Sequence, residues 1–306
     1  MNIVILNSEG VFGKRLGKLL HDTSHRVISL SLESDLNLLE LSKTKKILAK
    51  SSPTIIYNLA SHGGGLHYVW EFSADVAHVN LQMVLNLYKA ASLVCPNALI
   101  INTLANCSYP ADAIIQSESK WFDGAVHESV YAYGHVKRMQ YVISYCYKKQ
   151  YGLKSINFII PNHFGPGDYT DPKKVHALSG MIIRMIKAKR EKKGEFEIWG
   201  TGKPVREWGY IDDIVRVLVK GLKIKEDLTY PVNIAQNKGY SIGESAKLIA
   251  KALGFGGKLV FNTKYQDGAP KKILDDKKFR KLFPEFKFTD HYKGILATVK
   301  YYESVL

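Results

Sequence analysis

Short apolar runs alternate with stretches of helical periodicity through the first half of the chain, and this alternation restricts the fold more than any other feature. Ile3-Val4-Ile5-Leu6 leads into a glycine-spaced turn, and Phe12, Leu16, Leu19 and Leu20 then recur at helical spacing after Gly10 and Gly13. Arg26 to Leu30, Thr54 to Leu59, Ala98 to Asn102 and Ile156 to Ile160 read as further strands with helical stretches between them. The last of these follows a long helix running from about Tyr133 to Lys149. Strand and helix in alternation imply an α/β fold built on a doubly wound parallel sheet. Beyond Pro161 the pattern loosens into Gly, Pro and Asp and then short elements, so residues 166–306 are expected to form mainly a smaller, interleaved α/β substrate-binding lobe, some of whose segments return to residues 1–165. No internal repeat or low-complexity linker separates the two.

At 306 residues with 46% hydrophobic content the chain can bury a sizeable core. The opening Met1 to Leu6 lacks a basic flank and runs at once into polar Asn7, Ser8 and Glu9, so neither a signal peptide nor a membrane span is expected, and the chain is expected in the cytosol. Cys95, Cys107 and Cys146 have no metal-ligand spacing and cannot all pair, which fits a reducing compartment and predicts no metal site. The net charge of +15 is spread over several lysine-rich segments with no aromatic-interleaved stripe, which argues against nucleic acid and leaves solvated helix faces or an anionic small substrate.

Asn7, Gly10, Val11, Phe12 and Gly13 occupy the turn where a Rossmann-type dinucleotide fold admits a pyrophosphate at a helix N-terminus. The first glycine of that pattern is Asn7, which tolerates left-handed backbone better than other residues. Glu33 follows Gly13 by 20 residues, where an acid accepts the adenosine ribose hydroxyls and repels a 2′-phosphate. NAD(H) is therefore favoured over NADP(H), with the alternative that Glu33 and Asp35 only cap the following helix. Leu59 and Ala60 open a loop continuing Ser61-His62-Gly63-Gly64-Gly65, read either as close backbone approach to the cofactor or as a plain glycine-rich connection.

Tyr133 and Lys137, one helical turn apart, share a helix face, and a lysine ammonium so placed lowers the pKa of a phenol. In a lysine-rich chain with 18 Tyr, roughly two such spacings arise by chance. Tyr145 and Lys149 are a second instance. The surrounding motifs separate the two. Asp35-Leu36-Asn37-Leu38-Leu39, Cys107-Ser108-Tyr109-Pro110, Pro161-Asn162-His163-Phe164-Gly165-Pro166, Trp199-Gly200-Thr201-Gly202-Lys203-Pro204-Val205-Arg206-Glu207, Tyr210-Ile211-Asp212-Asp213 and Asp267 to Lys272 accompany Tyr133 and Lys137. Together they resemble the extended short-chain dehydrogenase/reductase (NAD-dependent epimerase/dehydratase) superfamily, in its GDP-L-fucose synthase branch, over nearly the whole chain.

That resemblance implies that Tyr133 protonates the sugar C4 oxygen as hydride arrives, and that Lys137 holds the nicotinamide ribose and tunes the phenol. It also implies that Cys107 and His176 shuttle protons at the carbons flanking a 4-keto group, which are acidic enough for a thiol and an imidazole. Read alone, Cys107 is a small buried hydrophobe and His176 a solvated loop residue. Asn162, Arg184, Trp199, Arg206 and Lys272 align with positions that contact the nucleotide sugar, where an arginine fork suits a diphosphate.

Two departures matter. Ala105 stands where the family carries a catalytic serine, so Thr103, Asn106 or Ser108 is expected to supply the hydrogen bond. Glu9, Ser31 and Glu33 stand where arginines receive a 2′-phosphate. The expected function is nicotinamide-dependent C4 reduction, with or without C3/C5 epimerisation, of a GDP-linked 4-keto-6-deoxy hexose or heptose by a homodimer. The alternatives are a redox-neutral epimerase or dehydratase, and a nucleotide-sugar-binding homologue without turnover.

Overall fold

The computed structural model describes residues 1–21, 23–32, 37–224 and 228–306. Glu33 and Asp35, on which the cofactor preference and the helix-cap alternative turned, lie outside the described residues. The six-stranded sheet is formed by β1 (Asn2–Leu6), β2 (Arg26–Leu30), β3 (Ile55–Asn58), β4 (Leu99–Ala105), β5 (Ser155–Ile160) and β6 (Val232–Asn233). Every neighbouring pair is parallel, in the order β6-β5-β4-β3-β1-β2. The order reverses at β1, whose chain continues to β2 on one side while β3 lies on the other. Ligand crevices in open α/β sheets form beside such a reversal, at the carboxyl ends of the strands.

Both faces of the sheet are covered, which is why its strands read as continuous apolar runs without alternation. Ile3 and Ile5 face one core with α1 (Val11–His21) and the later helix Ile211–Gly221, while Val4 and Leu6 face a second core with α2 (Leu41–Ser51), α3 (Ser73–Val94) and α4 (Tyr131–Tyr151). Each fully buried Ile or Leu in these cores contributes roughly 1.5–3 kcal/mol before the entropy of ordering it is subtracted. A third core is formed by Phe164 and the chain beyond residue 166: Ala177–Arg190, Ile242–Leu253 and His291–Val305 pack around Phe196 and Ile198. From the same half, Ile214, Val217, Leu218, Phe279 and Phe286 join the first core, and β6 joins the sheet.

The elements follow their sequences closely. The helix Ile242–Leu253 begins with a reciprocal cap in which Ser241 Oγ accepts from Glu244 N and Glu244 Oε2 accepts from Ser241 N, satisfying two amides that a helix start otherwise leaves open. The strand Glu195–Trp199 pairs in parallel with Lys258–Asn262. Val205–Arg206 lies between Tyr240–Ser241 and Lys271–Leu274, and this register sets Arg206 beside Lys272.

A ladder of polar side chains crosses the buried sheet. Asn58, Asn102 and Asn157 are register partners on β3, β4 and β5. Asn58 Nδ2 donates to Asn102 Oδ1 at 2.9 Å, and Asn102 Nδ2 donates to Asn157 Oδ1 at 2.9 Å and to Tyr88 Oη at 2.7 Å. Gln140 Nε2 on α4 donates to Asn102 Oδ1 at 3.0 Å, and Asn157 Nδ2 donates to Ser144 Oγ and the Thr229 carbonyl. Burying amides costs free energy only when they lack partners, and here each finds one.

Candidate active site

Four turns meet at the carboxyl end of the sheet, one after each of β1, β3, β4 and β5. After β1 the backbone of Asn7 adopts φ 65°, the left-handed conformation its sequence position called for. Its Nδ2 donates to the Leu59 carbonyl at 3.2 Å, tying the first turn to the third-strand turn. A Cβ on Gly13 would sit 2.2 Å from the Asn7 carbonyl oxygen, so only glycine lets α1 start this close to β1. Gly10, Val11 and Phe12 complete the turn, with the Gly10 amide donating to the Asn7 carbonyl at 3.1 Å. These residues fit a dinucleotide pyrophosphate through backbone amides at the N-terminus of α1.

After β3, Leu59 and Ala60 are buried and the chain then turns outward. The glycines that follow have an internal job: the Gly65 amide donates to the Lys174 carbonyl at 2.8 Å, and a Cβ there would lie 2.6 Å from the Val175 carbonyl oxygen. They fasten this loop to the segment that carries His176. Asn80 on α3 fixes its start, accepting from the His62 amide at 2.9 Å and donating to the His62 carbonyl at 2.7 Å.

Tyr133 lies in the first turn of α4, with Lys137 one turn on; the Lys137 ammonium is 5.3 Å from the centre of the Tyr133 ring. Lys137 is buried, with Nζ donating to the Thr103 carbonyl at 3.2 Å and to Gln140 Oε1 at 3.3 Å. Burial pushes its pKa down to about 8, partly opposed by the Cys107 thiol. Tyr145 and Lys149 are both exposed, so the surroundings distinguish the two pairs as the motifs do. The expected lowering of the phenol by the ammonium is overturned. Burial, followed by the neighbouring Cys107, raises the Tyr133 pKa, against a hydrogen bond from Ser61 that lowers it.

After β4, exposure alternates: Ala105 and Cys107 are partly exposed while Asn106 and Ser108 are buried. Ser108 Oγ accepts from Trp121 Nε1 at 2.8 Å and donates to the Ala105 carbonyl. Thr103 Oγ1 reaches the Asn58 carbonyl at 3.5 Å. The hydroxyls of Ser108 and Thr103 are thus engaged within the fold. The hydroxyl that meets Tyr133 comes from another turn: Ser61 Oγ lies 3.1 Å from Tyr133 Oη. Sequence spacing could not show this, because the two sit 72 residues apart. Burial pushes the Cys107 thiol up to about 11, with Lys272 and Lys137 pulling the other way.

His176 stands at the N-cap position of the helix Ala177–Arg190, its Nδ1 2.9 Å from Asp168 Oδ1 and its backbone amide 3.2 Å from Asp168 Oδ2. Burial alone would raise the Asp168 carboxyl, but the His176 hydrogen bond and charge, His163 and the Tyr169 amide win and hold it down at about 2. An ionised Asp168 only accepts, so His176 donates from Nδ1 and keeps Nε2 as its basic nitrogen. The His163 ring lies 4.1 Å from that of His176 and 5.0 Å from Phe12. Neither Asp168 nor His163 was assigned a role from the sequence; residues 165–176 form no helix or strand, so the spacing of Asp168 from His176 does not show that their side chains meet. His163, Asp168 and His176 also bring metal-binding atom types within 4.8 Å of one another. Their hydrogen bond and ring packing account for that closeness.

The remaining candidates fall in two places. Arg206 and Lys272, both partly buried, stand side by side on adjacent strands, with Lys272 close enough to Cys107 to affect its ionisation. Arg184 places its guanidinium 4.7 Å over the Trp199 ring, whose other partner is Tyr265, stacked at 5.1 Å. Asn162 begins the short strand that carries His163. Among the described residues no helix is long and apolar enough to cross a membrane.

Known proteins resemble this chain in sequence and in fold. A probable GDP-L-fucose synthase of Drosophila melanogaster is 29% identical, covering 98% of this chain and 96% of its own. GDP-L-fucose synthase of Escherichia coli (strain K12) is 25% identical, over 89% of this chain and 88% of its own. A solved GDP-L-fucose synthetase from Naegleria fowleri, bound to NADP, superposes with a TM-score of 0.87 at 25% identity, over 99% of this chain and 94% of that one. The profile of the NAD dependent epimerase/dehydratase family matches residues 3–235. The chain therefore belongs to the NAD dependent epimerase/dehydratase family, in the GDP-L-fucose synthase branch of the extended short-chain dehydrogenases/reductases.

Proposed function

We propose that the protein reduces C4 of a GDP-linked 4-keto-6-deoxy sugar with a nicotinamide cofactor, after proton exchange at the neighbouring carbons. The observation that carries this reading is the convergence of Tyr133, Lys137 and Cys107 at one strand end, beside a dinucleotide turn. When bound, the cofactor supplies hydride to C4. Tyr133 Oη gives its proton to the carbonyl oxygen, completing the alcohol, and its raised pKa keeps that proton in place until the oxygen becomes basic. Lys137, charged below about pH 8, offsets the phenolate left behind.

His176, oriented by Asp168, suits removal of a proton from a carbon beside the ketone. Cys107, held as a thiol by burial, suits return of a proton to the opposite face. Arg206 and Lys272 supply the positive charge a diphosphate needs. The guanine assignment is supported by the names of the relatives.

NADH is proposed as the preferred reductant, on the chemistry of an acid at Glu33. Glu9 adds little to that preference because Lys14 lies 3.2 Å from its carboxylate. A homodimer is proposed through α3 and α4, where Leu85, Leu93, Met139 and Tyr145 are exposed.

The test mixes the protein with GDP-4-keto-6-deoxymannose and NADH or NADPH and follows loss of reduced-cofactor absorbance. Oxidation is expected with both, with the higher kcat/KM for NADH. No oxidation with either sinks the reductase reading, and solvent deuterium entering the sugar without oxidation would replace it with a redox-neutral one.

A further inference from the structure

We infer that Ser61 is the positioning residue that replaces the hydroxyl absent at Ala105: its Oγ, 3.1 Å from Tyr133 Oη, orients the phenol that donates the proton. This rests on the reading that Tyr133 protonates the C4 oxygen. The fourth-strand turn has no hydroxyl to offer in that role. Ala105 has none, Ser108 is fully buried between Trp121 and the Ala105 carbonyl, and Thr103 turns to the Asn58 carbonyl. Ser61 comes from the turn after β3, on the other side of the same crevice.

Two features suit Ser61 to the task. Its backbone neighbour His62 is clamped on both polar atoms by Asn80, a buried residue of α3, so Oγ stands on a fixed support. Its hydroxyl is also ambivalent. It accepts a hydrogen bond while Tyr133 keeps its proton and, by rotating, donates one to the oxygen once that proton has left. A donor aimed at a forming phenolate favours the charged form, which is what a proton-donating tyrosine needs as it reacts.

The experiment compares Ser61→Ala, Ser61→Thr and Ser61→Ala combined with Ala105→Ser, with Tyr133→Phe as the reference for lost proton donation. Ser61→Ala is expected to lower kcat about ten- to a hundredfold, as loss of a hydrogen bond to an ionised group does, with KM for the sugar nearly unchanged. Ser61→Thr, which keeps the hydroxyl, should hold most of the rate, and Ala105→Ser should restore part of it in the Ser61→Ala background. A second readout needs no turnover. In protein carrying isotope-labelled tyrosine, the NMR resonance of the Tyr133 ring carbon bonded to Oη, assigned with Tyr133→Phe, should move in Ser61→Ala and stay in Ser61→Thr.

An unmoved resonance in Ser61→Ala overturns the inference, whatever the rate does. A fall in rate that Ser61→Thr does not rescue overturns it as well. Failure of the wild-type protein to oxidise either cofactor would instead sink the reductase reading, and the resonance would still decide whether Ser61 orients the phenol.

Discussion

Lys137 is a cation held by neutral partners, the Thr103 carbonyl and the Gln140 amide oxygen, and that choice sets its working range. With its pKa pushed down by burial to about 8, kcat is expected to fall as pH rises through about 8, where an ordinary lysine would still be charged. Lys137→Met should remove this alkaline limb along with about 10²-fold or more of the rate, read from kcat against pH. Asp168 acts at the other proton-transfer group. Asp168→Asn leaves His176 free to take the wrong tautomer, so solvent deuterium exchange into the sugar should drop by about 10²-fold or more while C4 reduction of an already epimerised sugar persists. Equal loss of both activities would contradict this division of labour. The sequence exposed Tyr133 and Lys137 because both lie on one helix, where spacing fixes the shared face. Ser61, His163 and Asp168 were hidden because their partners lie across turns, and no period in the chain records such a meeting.

At the scale of elements, the turns work by close backbone approach. Gly13→Ala would drive a methyl group against the Asn7 carbonyl from 2.2 Å, and backbone cannot yield as a side-chain end does. A cost of about 1–3 kcal/mol in stability is expected, with a larger loss of dinucleotide affinity, measured by denaturant unfolding and by calorimetric titration. The strands and the long helix were legible nearly to the residue, since apolar runs buried on both faces leave little choice of period. Thr54 to Leu59 became Ile55–Asn58, and the helix placed at Tyr133 to Lys149 spans Tyr131–Tyr151. The glycines at 63–65 left two readings open. Their sequence permits close approach to anything, and what approaches Gly65 is the Val175 carbonyl.

For the molecule as a whole, acid is the expected weakness. Burial holds His163 at about 3 and His291 at about 4, both depressed from an ordinary value of 6.5. Below 6.5 the unfolded chain takes up protons that the folded chain refuses, so stability is full above that value and drains away towards 3 to 4. The denaturant midpoint should therefore fall between about pH 7 and about pH 5, and His163→Asn should make the fall shallower. The asparagine ladder has a consequence of another kind. Strands buried on both faces carry no inside and outside, so a parallel strand that slips along its neighbour still presents isoleucine to isoleucine, and apolar packing alone barely penalises the error. A slip of β4 by one position would strand Asn102 away from Asn58 and Asn157, leaving buried amides without partners. The ladder thus specifies alignment: it tells the folding sheet which of several equally greasy pairings is the native one.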